Sequence, residues 1–155
     1  MKMSKSFSEF FAGGGMASQG LGPDWRCLFA NDIDCAKAAA YRLNKDPHAL
    51  TVADIHNAKL SDLPGQADPS WASFSCQDLS LAGSGAVLVV DRSGVFWPFW
   101  NLMKGLARQR RSPKIIALEN AVEAITSNQG RDLAAIATAF AGLGYRFGYL
   151  VIAAE

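Results

Sequence analysis

The sequence predicts an α/β domain built on a mostly parallel sheet with helices on both faces. Three observations predict it. Short apolar runs alternate with helical stretches along the chain, the order that βαβ units produce. Several runs stop abruptly at residues able to do chemistry: Asn31-Asp32, Asp54, Cys76 and Glu119-Asn120. Ligands of open α/β sheets gather outside the carboxyl ends of the strands. Finally, Gly13-Gly14-Gly15 separates the first apolar run from the first helical one.

The elements follow in order. Residues 7–12 are apolar and aromatic apart from Ser8 and Glu9, and form a first strand. The glycines break it, residues 16–21 form a short helix, and Gly22-Pro23 stops that helix. Residues 26–30 make a second strand. Residues 34–43 are Ala-rich and helical, with Asp34 as N-cap and Pro47 beyond the end. Residues 49–53 are a third strand. Residues 61–70, with Pro64, Gly65 and Pro69, are a loop, and residues 71–75 a fourth strand. Residues 78–94 read mostly as loop, although 86–90 have strand composition. Residues 95–109 are an amphipathic helix, 114–118 a fifth strand, 130–143 a helix closed by Gly144, and 146–153 a sixth strand.

A chain of 155 residues is the size of one domain with a real core. No linker or repeat divides it. The formal net charge of +1 supplies no global field toward nucleic acid or membrane, so any nucleic-acid contact needs a local patch or another chain. Cys27, Cys35 and Cys76 are odd in number and lack metal-ligand spacing. Reduced thiols in a cytoplasmic protein without a metal site are expected. The polar start lacks the apolar core of a signal peptide, and no apolar run is long enough to span a bilayer.

Each chemical residue has two readings. Cys76 is a nucleophile at a strand end or an inert core thiol. The glycines are a ligand cradle or a plain turn. Asp32 accepts ribose hydroxyls or caps a helix, and Asp54 accepts an amino group or closes a turn. Glu119 is a partly desolvated acid or a solvated one. Arg108, Arg110, Arg111 and Lys114 contact phosphates or form a solvated helix end. His48 and His56 are surface residues, and Phe96, Trp97, Phe99 and Trp100 pack a core.

Taken in order, these segments resemble the DNA cytosine-5 methyltransferase family over nearly the whole chain. Phe11-Ala12-Gly13-Gly14-Gly15 resembles its cofactor loop. Asp32 and Asp54, with Ile33 and Ile55, resemble its contacts to the ribose and adenine of S-adenosylmethionine. Phe74-Ser75-Cys76-Gln77 resembles its Pro-Cys-Gln motif, and Glu119-Asn120-Ala121 its Glu-Asn-Val motif. Residues 78–83 and 92–94 resemble its catalytic loop.

The resemblance implies a Rossmann-like S-adenosylmethionine-dependent methyltransferase fold, truncated before its last strands. It implies attack by Cys76 on carbon 6 of a flipped cytosine in DNA, with Glu119 acting on ring nitrogen 3 and Asn120 positioning both segments. Gln77 and Ser80 would face the flipped nucleotide. Ser75 stands for the motif's proline, and Ala121 for its valine. The family's Gln-Xaa-Arg-Xaa-Arg motif and target-recognition domain have no counterpart among these residues. A complementary C-terminal chain is therefore the expected partner. A catalytically silent module binding cofactor or a partner is the second reading, and a nicotinamide oxidoreductase the third. Ser18, where the nicotinamide fingerprint wants glycine, argues against the third.

Overall fold

The computed structural model describes residues 5–75 and 94–153. These contain five strands, β1 (Lys5–Phe10), β2 (Trp25–Asp32), β3 (Leu50–Val52), β4 (Ser70–Ser73) and β5 (Ile116–Glu119). The helices are α1 (Met16–Leu21), α2 (Cys35–Asn44), α3 (Phe96–Arg108) and α4 (Arg131–Gly142). The strands form one parallel sheet in the order β3-β2-β1-β4-β5.

The chain divides into two compact units, Met1–Phe74 with Pro98–Glu119, and Ser75–Trp97 with Asn120–Glu155. The first holds the whole sheet. Its central strand β1 is buried on consecutive residues from Phe7 to Phe10 rather than on alternate ones, as a strand covered on both faces requires. The coverings differ. Phe10 packs against Phe29 and against Phe99 of α3, at ring-centroid distances of 5.3 and 4.9 Å. Glu9, on the opposite face because side chains alternate, accepts the Ala17 amide of α1. Helices therefore lie on both faces, as expected.

α2 starts where the sequence places it. Asp34 accepts from the amides of Ala36 and Lys37 at 2.8 and 3.1 Å, satisfying donors that the first helical turn leaves unpaired. Of the four aromatic residues expected to pack a core, Phe96, Phe99 and Trp100 are buried and Trp97 is half-buried.

In the second unit, α4 buries Ile136 and Phe140, and Phe140 packs edge-on against Tyr145 and Phe147. Asp132, buried in the first turn, accepts from the Ser127 hydroxyl at 2.6 Å.

The expected sixth strand does not form. Residues 146–153 are irregular, and Tyr149, Leu150, Val151 and Ile152 are exposed. Its composition suits a strand, but a strand exists only through a hydrogen-bonded neighbour, and among the described residues this stretch has none.

Candidate active site

Parallel strands bring their carboxyl ends to one edge, where the glycine turn, Asp32, Asp54 and Glu119 lie. After β1 the chain turns through Phe11 (φ 56°), Gly13 (φ 55°) and Gly15 (φ 87°) into α1. Phe11 holds a left-handed conformation that costs a non-glycine residue energy. Its half-buried ring packs edge-on against Phe74, 5.5 Å away. Ala12 donates to the Asn31 carbonyl at 2.9 Å, extending the β1–β2 ladder into the turn.

Asp32 anchors this loop. Its Oδ2 accepts the Gly13 amide at 2.7 Å, and its Oδ1 accepts the Asp34 amide at 2.8 Å. It is not the cap of α2, a role Asp34 fills. Each Asp32 oxygen keeps a further lone pair for a ligand hydroxyl. Its neighbour Asn31 donates to the Ala53 carbonyl at 2.9 Å, linking β2 to the segment that carries Asp54.

Asp54 uses only Oδ1, which accepts the His56 amide at 2.9 Å and lies 2.7 Å from His56 Nδ1. The His56 amide, followed by the His56 ring, holds the Asp54 carboxyl below the usual range. Among the described residues nothing bonds Oδ2 of this half-exposed side chain. Ile55 is buried, whereas Ile33 stands exposed beside Asp32.

Glu119 closes β5, opposite Ser73 in the β4–β5 register. The Ser73 hydroxyl donates to Glu119 Oε2. The desolvated reading of Glu119 does not hold. The residue is exposed, and among the described residues β5 has a strand neighbour on one side only. Asn120, in the other unit, accepts the Ala121 amide through its own Oδ1 at 2.8 Å. Its Nδ2 is buried without an acceptor among the described residues. Cys76, Gln77 and Ser80 lie outside the described residues, as do 78–93 with the strand-like stretch 86–90.

Glu9 is the residue that sequence reasoning missed. It is 2% exposed, and its Oε1 accepts the Ala17 amide at 3.0 Å. Burial pushes its carboxyl up from 4.5 to about 7, against the lowering influence of the Ala17 and Ser18 amides and of Lys45. Burial likewise pushes Cys27 up to about 11 and raises Tyr41. The signal was available: a lone acid inside an apolar strand, four residues before the first glycine of the turn. Within the basic cluster, Arg111 has a structural role. Arg111 donates to the Leu63 and Gly65 carbonyls at 2.7 and 2.6 Å, tying down the loop before β4.

The sheet and its strand-end loops define a Rossmann-like methyltransferase fold. The crystal structure of the S. pombe Dnmt2 methyltransferase shares it, with a TM-score of 0.59 and 18% identity over 86% of this chain and 40% of that one. The chain belongs to the C-5 cytosine-specific DNA methylase family, which it matches over residues 5–155. It is 29% identical over 128 residues to the type II methyltransferase M2.BsuMI of Bacillus subtilis (strain 168), covering 83% of this chain and 31% of that protein. It thus spans about a third of that relative's length. Family membership sets the nicotinamide reading aside. Among the described residues no helix is long and apolar enough to cross a membrane.

Proposed function

We propose that this chain carries the cofactor cradle, the nucleophile and the acid of a DNA cytosine-5 methyltransferase, and works with a C-terminal part on the same or a complementary chain. The observation that carries the reading is the edge itself. A left-handed glycine turn is bonded to Asp32, Asp54 follows the end of β3, and Glu119 ends β5.

The residues fit S-adenosylmethionine. A Cβ at Gly13 or Gly14 would meet nothing within 4 Å, so open space borders the turn. Asp32 has lone pairs for ribose hydroxyls, Asp54 Oδ2 can accept an adenine amino group, and Phe11 and the exposed Ile33 offer apolar surface to the base. When bound, this cofactor supplies the methyl group that ends on carbon 5.

The chain's own residues do the rest. The Cys76 thiolate forms a bond to carbon 6 of a cytosine that has left the stack, since that atom is unreachable inside a duplex. Glu119 protonates or hydrogen-bonds ring nitrogen 3, drawing off the charge that the attack pushes into the ring. Carbon 5 becomes nucleophilic. Once it is methylated its proton passes to water, the electron pair of that carbon–hydrogen bond expels the Cys76 thiolate from carbon 6, and ring nitrogen 3 returns to Glu119 any proton it took. Asn120 has a buried donor free to hold a neighbouring segment, and Gln77 and Ser80 face the extruded nucleotide.

Ser75 supports the second reading, a catalytically silent module. It restores an amide donor and loosens φ where the motif has proline. One experiment separates the two. The chain is combined with a C-terminal part and given S-adenosylmethionine and DNA containing 5-fluorocytosine, whose fluorine blocks the elimination that would follow methylation. Peptide mapping should find the adduct on Cys76, and Cys76→Ser should abolish it. An adduct on Cys27 or Cys35, or none even with Ser75→Pro, overturns the catalytic reading.

A further inference from the structure

We propose that Ser73 is a positioning residue for Glu119, fixing which carboxyl oxygen faces the base. The inference rests on reading Glu119 as the group that acts on the cytosine ring. It starts from register. Ser73 and Glu119 are the last cross-strand pair of the β4–β5 ladder, so their side chains leave the sheet side by side. Ser73 is half-buried and short, and its hydroxyl reaches Glu119 Oε2. Among the described residues this is the one hydrogen bond to the Glu119 carboxyl, and no cation pairs with it.

An exposed glutamate at a strand end otherwise samples many rotamers. A hydroxyl bond to one oxygen restricts the carboxyl to orientations in which Oε1 points away from Ser73. It also assigns the proton. An oxygen that accepts the Ser73 hydrogen is a poor site for the acid's own proton, so in the neutral form that proton sits on Oε1. Donation to a ring nitrogen then needs no rotation of the carboxyl, the kind of pre-orientation that lowers a barrier. The Ser73 hydroxyl stays bonded to Oε2 before and after the transfer, and no proton passes through it.

The test uses the enzyme assembled with its C-terminal part, DNA containing 5-fluorocytosine, and S-adenosylmethionine. The readout is the single-turnover rate of adduct formation. Ser73→Ala should slow it about tenfold, a fraction of the ~10²–10⁴-fold that general acid catalysis contributes, while affinities for cofactor and duplex stay unchanged. Ser73→Thr, which keeps the hydroxyl, should recover most of the rate. In the Glu119→Gln background, Ser73→Ala should cost nothing further, because the residue acts only through the acid. A full-rate Ser73→Ala enzyme, or losses that multiply in the double variant, overturns the inference. Equal loss in Ser73→Thr and Ser73→Ala does the same by exposing a merely structural role. If Glu119→Gln itself forms adduct at the wild-type rate, the reading of Glu119 fails first, and the inference with it.

Discussion

Replacing Glu9 by glutamine should remove a pH dependence that burial builds into the sheet. The carboxyl is 2% exposed, and its Oε2 has no hydrogen-bond partner among the described residues. In the folded chain it titrates at about 7, against 4.5 when unburied. The folded state therefore holds a proton that the unfolded chain has already released. Below pH 4.5 both states are protonated and burial carries no ionic cost. As pH rises toward 7 the unfolded chain gains the advantage of ionising, so stability falls, and above 7 the whole difference is felt. At about 1.4 kcal/mol per pH unit, the interval from 4.5 to about 7 is worth about 3 kcal/mol. Glutamine keeps an acceptor for the Ala17 amide and cannot ionise. The assay is urea denaturation between pH 4.5 and 8. Trp71, paired with Glu9 in the β1–β4 register, serves as a fluorescent reporter. The wild-type midpoint should fall relative to the variant's by on the order of 1 M or more across that range, given slopes of about 1–3 kcal/mol per molar. A constant offset at all pH values would reflect only how glutamine packs. Parallel profiles would refute the argument, because Glu9 would then ionise alike in both states.

Two further substitutions probe the same edge. Gly15→Ala should destabilise the chain by about 1–2 kcal/mol in the same denaturation assay, since Gly15 has φ 87° and an added Cβ would meet Tyr41 and Lys45 at 3.1–3.3 Å. Asp34→Ala should lower the denaturation midpoint at neutral pH by removing the α2 cap. The Lys37 and Ala36 amides hold the Asp34 carboxyl below its ordinary 3.8, so this stabilisation is fully present above that value and is lost as pH falls below it through the lower folded-state value. The difference between variant and wild type should shrink accordingly.

The order of elements was legible because each strand is bounded by residues that cannot continue it, and because Asp34 and Gly22 act locally as cap and stop. What was not legible depends on partners distant in sequence. The composition of residues 146–153 says strand, but pairing decides, and no neighbour is present among the described residues. The two readings of Glu119, desolvated or solvated, could not be separated by sequence; the residue is exposed, and among the described residues β5 has a strand neighbour on one side only. The arginines after α3 looked like one basic patch. Arg110 at φ 58° turns the chain so that Arg111 reaches back to carbonyls 46–48 residues earlier. In the candidate site, spacing located Asp32 and Asp54 but not their occupation. That Asp32 already serves two amides follows from where the glycine turn aims its backbone, which side-chain identity does not encode.

The strand order also explains why the carboxylates near this edge differ in character. Glu9 and Asp32 lie on β1 and β2, which have neighbours on both sides, and are 2% and 6% exposed. A buried carboxylate must be paid for with hydrogen bonds, and backbone amides of the turn supply them at Ala17, Gly13 and Asp34. These two acids are thereby committed to holding the loop. Asp54 and Glu119 follow or end the border strands β3 and β5, where solvent meets that need. Each is tied through one oxygen, to His56 or to Ser73, and among the described residues the other oxygen stays unbonded. Position in the sheet thus separates the buried acids that hold the cradle, of which Asp32 keeps lone pairs open to a ligand, from the more exposed acids Asp54 and Glu119. Neutralising Glu9 should register in stability, and neutralising Asp32 in both stability and cofactor affinity. Neutralising Asp54 should register in cofactor affinity, and neutralising Glu119 in the rate of the chemical step.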